Sequence, residues 1–93
     1  MSHGGKKPYR DKRLDENSFL RTFSVNSSEF EWHRDAEDRI VEVVSGKGWR
    51  FQYDNCLPEF INPGDVFVVE KNDWHRILKG KTDLEVLIIK CFY

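Results

Sequence analysis

Cysteine is scarce in this sequence, and so are the other features that would place it in a special class of protein. Two cysteines in 93 residues are too few for a disulfide-built scaffold, which predicts an intracellular protein with both thiols reduced. No apolar run approaches the length of a membrane-spanning helix, and no apolar N-terminal stretch resembles a signal peptide. We therefore expect a cytoplasmic protein with no membrane partner.

An excess of charge of one sign is also missing. The 15 Lys and Arg residues and the 16 Asp and Glu residues leave a net charge of -1, so we expect no nucleic-acid partner. The cations are concentrated at the N-terminus, where residues 1–13 contain five Lys and Arg against one Asp. Because this segment has no apolar periodicity, it predicts a basic, flexible tail over residues 1–17.

Aromatic residues and strand signals, by contrast, are abundant from residue 18 onward. Three Trp, three Tyr and seven Phe allow a small core to bury a large apolar area. About eight short segments carry alternating or β-branched apolar residues, including one at 30–33, and turn-forming sequences such as 45–48 and 62–65 separate them. The pattern predicts an all-β sandwich or barrel of about eight short antiparallel strands over residues 18–93.

The last predicted strand, 84–92, is apolar on both faces. An unprotected edge strand of that kind would aggregate. The strand is therefore either central in a sheet or covered by a second subunit, and together with the aromatic content this leads us to expect a homodimer.

Two segments contain residues that could carry chemistry. His33 and Asp35 are two positions apart on a segment predicted to be extended, so their side chains point to the same side of the sheet. His75 begins a later strand after a polar turn. It meets the first pair if the two strands are antiparallel neighbours.

The spacing of these residues resembles the motifs of the cupin superfamily. In the first motif, Gly-x5-His-x-His-x3-4-Glu-x6-Gly, His33 falls on the first His, Asp35 on the second His and Arg39 on the Glu. In the second motif, Gly-x5-Pro-x-Gly-x2-His-x3-Asn, the first Gly and the His are matched by Gly64 and His75. The other motif positions are occupied by Glu70, Asn72 and Lys79.

The resemblance covers about residues 29–80 and implies a cupin-type jelly-roll barrel, the double-stranded β-helix. It implies a pocket inside the barrel that takes a divalent metal, a small polar or anionic ligand, or both. Of the four ligands of the family only His33 and His75 are unchanged. Arg39 cannot bind a cation, because its guanidinium stays protonated.

Three interpretations of the pocket remain open. In the first, His33, Asp35 and His75 form a facial triad for Fe, Mn, Ni or Zn, and Arg39 grips an anionic group of a small-molecule ligand, as in an oxygenase-like enzyme. In the second, no metal binds, Asp35 pairs with Arg39, and one of the two His acts as a general base. This arrangement resembles the isomerase-like sugar-nucleotide epimerases. In the third, the pocket is a non-catalytic binding or interaction module.

Two further residues carry weaker predictions. Gln52 is a candidate ligand-binding residue if its strand face lines the pocket; it faces water instead if Trp49, Phe51 and Tyr53 pack the core. Glu37 is expected in a solvated acidic turn. No residue is assigned a catalytic role from the sequence.

Overall fold

Two antiparallel sheets make up the protein. The computed structural model describes residues 8–27 and 30–92, and within this part of the chain there are eight strands and no helix, so no described helix is long and apolar enough to cross a membrane. The strands are β1 (Tyr9–Arg13), β2 (Ser18–Phe23), β3 (Asp38–Ser45), β4 (Arg50–Tyr53), β5 (Glu59–Phe60), β6 (Val66–Val69), β7 (His75–Leu78) and β8 (Leu84–Cys91). The larger sheet has the order β1-β2-β8-β3-β6, and the smaller has the order β5-β4-β7.

The core lies on the inner face of the larger sheet. Successive side chains of a strand point to opposite faces, so β3 turns Val41 and Val43 inward, and β8 turns Leu84, Val86 and Ile88 inward. These five side chains are at most 7% exposed. The β-branched residues of both strands suit this pleated, half-buried surface. The all-β prediction is therefore confirmed.

The last strand is central rather than at an edge. β8 pairs with β2 on one side, where Leu20 lies opposite Leu87, and with β3 on the other, where Ile40 lies opposite Ile89. All of its main-chain groups can therefore be used inside the sheet. Of the two explanations expected for its two-sided apolar sequence, a central position in the sheet is the one found.

Tight turns connect the strands where the sequence predicts them. Gly46 has a φ of +137° and Gly64 has a φ of +95°. Residues with a Cβ rarely adopt such values. The turn at Gly64 is closed by Asp65, whose carboxylate accepts the N–H of Asn62 at 2.8 Å.

The predicted flexible tail is wrong for Tyr9–Arg13, which form β1 and pair with β2 along their whole length. A polar edge strand needs only main-chain hydrogen bonds and a few side-chain contacts, and neither produces an apolar period in the sequence. Here Asp11 accepts two hydrogen bonds from Arg21 at 2.8 and 3.0 Å, and Tyr9 packs on Phe23 at 5.5 Å. Residues 1–7 of the predicted tail lie outside the described residues.

The segment 30–33 is not a regular strand, contrary to the alternation of its sequence. Within the described residues its sheet pairing is limited to an isolated bridge between His33 and His75. Phe30 instead packs its ring edge-on against Trp49, with ring centroids 5.4 Å apart. The bridge holds His33 at the start of β7, and the contact with Trp49 holds Phe30 beside the residue that precedes β4.

Candidate metal centre

The bridge between His33 and His75 brings the two predicted histidines together. The N–H of His33 donates to the carbonyl of His75 at 3.0 Å, and the N–H of His75 donates to the carbonyl of His33 at 2.9 Å. Residues directly opposite in an antiparallel pair point to the same face. The two imidazole rings accordingly lie with centroids 4.3 Å apart, which is the juxtaposition expected from the sequence.

The wall behind His75 is aromatic. The register of β4 and β7 places Tyr53 opposite His75, and Phe51 stacks on the imidazole at 5.6 Å with an interplanar angle of 25°. His75 is therefore buried, with 4% of its surface exposed.

Main-chain carbonyls determine the tautomer of both rings. Nδ1 of His75 lies 2.8 Å from the carbonyl oxygen of Asp73, and Nδ1 of His33 lies 3.2 Å from that of Glu31. A carbonyl oxygen can only accept a hydrogen bond, so Nδ1 carries the proton in each ring. In the neutral imidazoles the lone pair is then on Nε2, which is the arrangement found in metal-ligating histidines.

Asp35 completes the group. One carboxylate oxygen lies 3.4 Å from Nε2 of His75, and one ligand atom from each of His33, Asp35 and His75 lies within 4.8 Å of the other two. Burial raises the pKa of Asp35, but its interaction with the facing ring nitrogen of His75 and the charge of Arg39 outweigh burial and hold this pKa below its usual range. The carboxylate is therefore ionised at neutral pH.

The environment of His33 favours the neutral form of its ring. Burial lowers the pKa of His33, the nearby His75 lowers it further, and the hydrogen bond to the carbonyl of Glu31 opposes them without reversing the shift. A neutral ring at pH 7 offers its Nε2 lone pair. The site thus combines two nitrogen donors and one anionic oxygen donor.

Arg39 occupies the place that the motif alignment gives to a fourth ligand. Its Nη1 lies 3.5 Å from Asp35, and its Nε donates to Glu37 at 3.0 Å. The pairing of Asp35 with Arg39 was expected. Glu37 was expected in a solvated turn, which is wrong, because its side chain is only 14% exposed and neutralises Arg39. A long cationic side chain buried this far needs such partners.

Two cavities meet at the site. An inner, mainly apolar cavity of about 60 Å³ touches all three donors and reaches between the sheets. A wider cleft of about 340 Å³, bordered by residues of β1 and of the segment before His33, touches His33 and Asp35 but not His75. The residues that border both cavities are Arg21, Phe23, His33, Asp35, Arg39 and Ile77.

Sequence reasoning missed Arg21, which is buried and borders both cavities. Its guanidinium lies 3.6 Å from the ring centroid of Tyr9 and is held by Asp11. The alternation of β2 gave a signal that could have found it. Arg21 stands between Phe19 and Phe23 on a face that is otherwise apolar, and such a charge is rarely buried without a role or a partner.

Gln52 does not face the pocket, so its prediction as a pocket residue is wrong. It accepts a hydrogen bond from Nε of Arg76 at 2.8 Å and donates to the carbonyl of Cys56 at 2.9 Å. Because Phe51 and Tyr53 turn inward beside His75, alternation along β4 turns Gln52 to the outer face. Gln52 therefore faces outward, which is the alternative expected if the aromatic residues of this strand pack in the core.

Asn72, which replaces the second Gly of the motif, retains the backbone conformation that a glycine favours. Its φ is +64°, and its N–H donates to the carbonyl of Asp35 at 2.7 Å. This turn therefore ties the segment of Asp35 to the start of β7. Asn tolerates the left-handed region better than other residues with a Cβ, which explains how the substitution is accommodated.

Asn72→Ala is expected to lower the free energy of unfolding by about 1 kcal/mol, because the left-handed backbone conformation is sterically less favourable for Ala than for Asn. Asn72→Gly is expected to be within about 0.5 kcal/mol of the wild type, or slightly more stable. Urea denaturation of the three proteins measures the difference. Equal losses for Ala and Gly would contradict the conformational explanation and point to the Asn side chain instead.

Comparison with known proteins identifies the fold. No family model matches the sequence, and no curated protein matches it either. Solved structures do match. A cupin domain from Bordetella pertussis is 14% identical in sequence, with a TM-score of 0.65. The alignment covers 96% of this chain and 100% of that domain. A cupin-2 domain protein from Shewanella frigidimarina is 17% identical, with coverages of 94% and 82% and a TM-score of 0.64.

A third match is the crystal structure of FeII HppE. It is 12% identical in sequence and has a TM-score of 0.65, and the alignment covers 80% of this chain but only 41% of that chain. With identities this low, the likeness concerns the fold. The protein is thus an all-β protein with the cupin fold, as the motif spacing predicted.

Proposed function

We propose that this cupin-fold protein binds one divalent metal ion through His33, Asp35 and His75, and a small polar or anionic ligand in the adjoining cleft. The observation that carries the proposal is the position of the ring nitrogens. Nδ1 of each imidazole lies against a main-chain carbonyl, which leaves Nε2 as the nitrogen that would bind an ion, and a ligand atom of each ring lies close to the Asp35 carboxylate. A neutral His75 would place its lone pair against the Asp35 carboxylate, which is unfavourable unless a cation or a proton lies between them.

The donor set fits a borderline metal. Imidazole nitrogen suits Fe, Ni and Zn, and a carboxylate adds affinity for Mn. The 3.4 Å between Nε2 of His75 and the nearest oxygen of Asp35 would let both atoms bind one ion, whereas the three ligand atoms, within 4.8 Å of one another, would move slightly closer together on binding. FeII HppE, one of the matching folds, contains Fe(II) according to its name. We therefore propose Fe(II), Mn(II), Ni(II) or Zn(II).

The surrounding residues have separable roles. One oxygen of Asp35 faces Arg39 and the other faces His75, so Arg39 orients the carboxylate without competing for its second oxygen. Phe51 and the apolar inner cavity exclude water from the buried side. Arg39 is also the residue we propose for binding an anionic group, since its guanidinium has five N–H donors and borders both cavities.

A bound divalent ion would supply Lewis-acid chemistry, either by polarising a ligand oxygen or by acidifying a bound water. Whether this makes the protein a metal-dependent enzyme of the oxygenase-like or isomerase-like kind depends on the ligand. The cleft of about 340 Å³ has the size of a site for a small molecule.

The second candidate is a metal-free module that binds a ligand without catalysis. It is favoured by the ion pair of Arg39 with Asp35, which places a positive charge where a fourth metal ligand would be expected. In that case His75 carries a second proton on Nε2 and donates it to Asp35 across the 3.4 Å contact. The two candidates differ in what occupies the space between these atoms.

Elemental analysis separates them. The purified protein is incubated with Fe(II) under anaerobic conditions, or with Mn(II), Ni(II) or Zn(II), then desalted and analysed. We expect close to one ion per chain for at least one metal. Loading should also raise the melting temperature, because an ion that binds only the folded state stabilises it.

The sequence provides a matched control, since it contains three histidines. His33→Ala and His75→Ala should each abolish stoichiometric loading, whereas His3→Ala should leave it unchanged. Absence of loading with all four metals would overturn the metal proposal and favour the metal-free module. Equal loading of His3→Ala, His33→Ala and His75→Ala would place the ion elsewhere and overturn the assignment of these ligands.

A further inference from the structure

The outer face of the smaller sheet combines aromatic and cationic side chains. Phe51, Tyr53 and His75 turn inward and contact one another, so the alternate positions of β4 and β7 point to the outside. The bridge between His33 and His75 adds the segment around His33 to the same sheet. We call the Arg–aromatic face the outward side chains Trp32, Arg34, Arg50, Phe60, Trp74 and Arg76.

Two pairs of Arg and Trp lie side by side on this face. Antiparallel pairing at the bridge sets Trp32 beside Arg76, and the guanidinium carbon of Arg76 lies 4.5 Å from the ring centroid. The same pairing sets Arg34 beside Trp74, at a distance of 5.1 Å. A guanidinium over an aromatic ring is attracted to it and keeps its N–H donors in its own plane. Those donors can therefore reach an anion bound on the face.

A third pair extends the face to β5. Arg50 lies opposite Phe60 in the strand register, and its guanidinium carbon is 5.7 Å from the ring centroid. Gln52, on the same side of β4, accepts the Nε–H of Arg76 at 2.8 Å. This hydrogen bond orients Arg76 and uses one of its five N–H donors.

The guanidinium groups of the Arg–aromatic face have no carboxylate partner within the described residues. The ion pairs in that part of the chain involve Arg21, Arg39 and His75 instead. Cationic groups that are not neutralised within the protein attract an anionic partner. The net charge of the whole chain is -1, which predicts no attraction for nucleic acid over the whole surface. The attraction is therefore confined to this face.

The two ends of the face differ in charge. Asp54 follows β4, and its N–H donates to the carbonyl of Trp74 at 3.0 Å, so a carboxylate borders this end. At the other end the turns before β4 and after β7 meet, where the N–H of Lys81 donates to the carbonyl of Lys47 at 2.7 Å. Both lysines are exposed. An anionic chain that crosses the face is therefore favoured to leave it past Lys47 and Lys81.

The aromatic rings of the face are accessible. Phe60 is 66% exposed, Trp74 is 41% exposed and Trp32 is 38% exposed. No described strand packs over the outside of the smaller sheet, and the described residues contain no helix that could do so. Trp and Arg together are typical of binding surfaces, where they contribute most of the binding energy.

We propose that the Arg–aromatic face binds single-stranded nucleic acid without sequence preference. Such a ligand offers phosphates to the guanidinium groups and flat bases to the aromatic rings. A four-stranded sheet can stack two or three bases, and this sheet consists of β5, β4, β7 and the segment around His33. An acidic protein segment matches the charge of the face but has no regular series of rings. The bases of a duplex are stacked on each other and do not reach the rings.

The test is fluorescence anisotropy with a short labelled oligouridylate and a short labelled oligothymidylate. We expect dissociation constants of roughly 1–100 µM at physiological salt. The logarithm of the binding constant should fall with the logarithm of the salt concentration with a slope of about -2, because each of three phosphate contacts contributes about -0.7. A duplex of the same length should bind at least about tenfold more weakly, since stacking on exposed rings requires unpaired bases.

Variants locate the site. Trp74→Ala is expected to weaken binding about tenfold, since it removes a stacking surface. Arg50→Ala should weaken binding about fivefold and reduce the magnitude of the salt slope by about 0.7. Phe92→Ala and Lys12→Ala are the matched controls, because both residues are exposed and belong to the chain of the larger sheet. They should bind like the wild type, and circular dichroism verifies that each variant is folded.

Several outcomes would overturn the proposal. One is the absence of binding to both oligonucleotides at protein concentrations up to roughly 100 µM. Another is an equal loss in the control variants, which would place binding elsewhere, and a third is a duplex that binds as tightly as the single strands. A polyglutamate peptide that binds in a Trp74-dependent way, without oligonucleotide binding, would show that the partner is an acidic protein segment. None of these outcomes depends on metal binding.

Discussion

Replacing Trp49 with Ala is expected to lower the free energy of unfolding by about 3–5 kcal/mol. The side chain is 0% exposed, and its Nε1–H donates to the carbonyl of Thr82 at 2.6 Å. The substitution therefore leaves both a cavity and an unpaired carbonyl. Since domains of this size are stable by only about 5–15 kcal/mol in total, the variant loses much of its stability.

The cavity left by Trp49 cannot close easily, because the chain segments around it are already in contact. The N–H of Lys81 donates to the carbonyl of Lys47 at 2.7 Å. A Cβ built on Gly80 would lie 2.7 Å from the main-chain nitrogen of Trp49. Non-bonded carbon and nitrogen atoms do not approach each other this closely. The site thus has little freedom to relax, and we expect the loss in the upper part of the range.

Urea denaturation followed by circular dichroism measures the effect, with Trp74→Ala as the matched control. Trp74 is 41% exposed, and the guanidinium of Arg34 lies 5.1 Å from its ring centroid. Its removal should cost no more than about 1 kcal/mol. Similar losses for the two variants would contradict the view that Trp49 is the central packing residue.

Asp35→Asn is expected to reduce the affinity for the proposed metal at least about a hundredfold, more than changes to residues behind the ligands usually do. The substitution preserves the shape of the side chain and removes its charge. The ion then has two neutral nitrogen donors and a weakly donating amide oxygen. Titration calorimetry with the metal that loads the wild type measures the change.

Glu37→Gln is the matched control for Asp35→Asn. It also removes one negative charge next to Arg39, to which Glu37 is bound at 3.0 Å, but Glu37 is not in the group of donor atoms. We expect its metal affinity to stay within about tenfold of the wild type, as for a residue behind the ligands. If both variants lost affinity equally, the net charge around Arg39, and not coordination by Asp35, would control binding.

Local patterns were sufficient to predict most of the fold. The β-branched residues of β3 and β8 and the glycine turns at Gly46 and Gly64 are periodic or conformational signals that act over a few residues. β1 could not be found this way, because an edge strand stabilised by its pairing with β2 and by the Asp11–Arg21 ion pair leaves no apolar period. The segment 30–33 was wrongly predicted to be a strand, because alternation of apolar and polar residues does not guarantee a neighbouring strand with which to pair.

The three candidate donor residues could be selected from the sequence, and their surroundings could not. His33 and Asp35 share a side through the two-residue period of an extended chain, and all three residues fall on motif positions of the cupin resemblance. Arg21 and Glu37 come close to them only through the pairing of separate strands and the need to neutralise buried charge. Gln52 and Phe51 are adjacent in sequence, and the register of β4 against β7 determined which of them faces His75.

The sequence by itself determined that the chain is all-β, that its turns fall at particular glycines, and that His33 and Asp35 share one side of an extended segment. These properties depend on the conformational preferences of single residues and on the two-residue period of a strand. The tertiary structure alone decided the tautomers of His33 and His75, the two partners of Arg39, and the central position of β8. Each of these depends on which distant segments are paired, and no local pattern encodes such pairing.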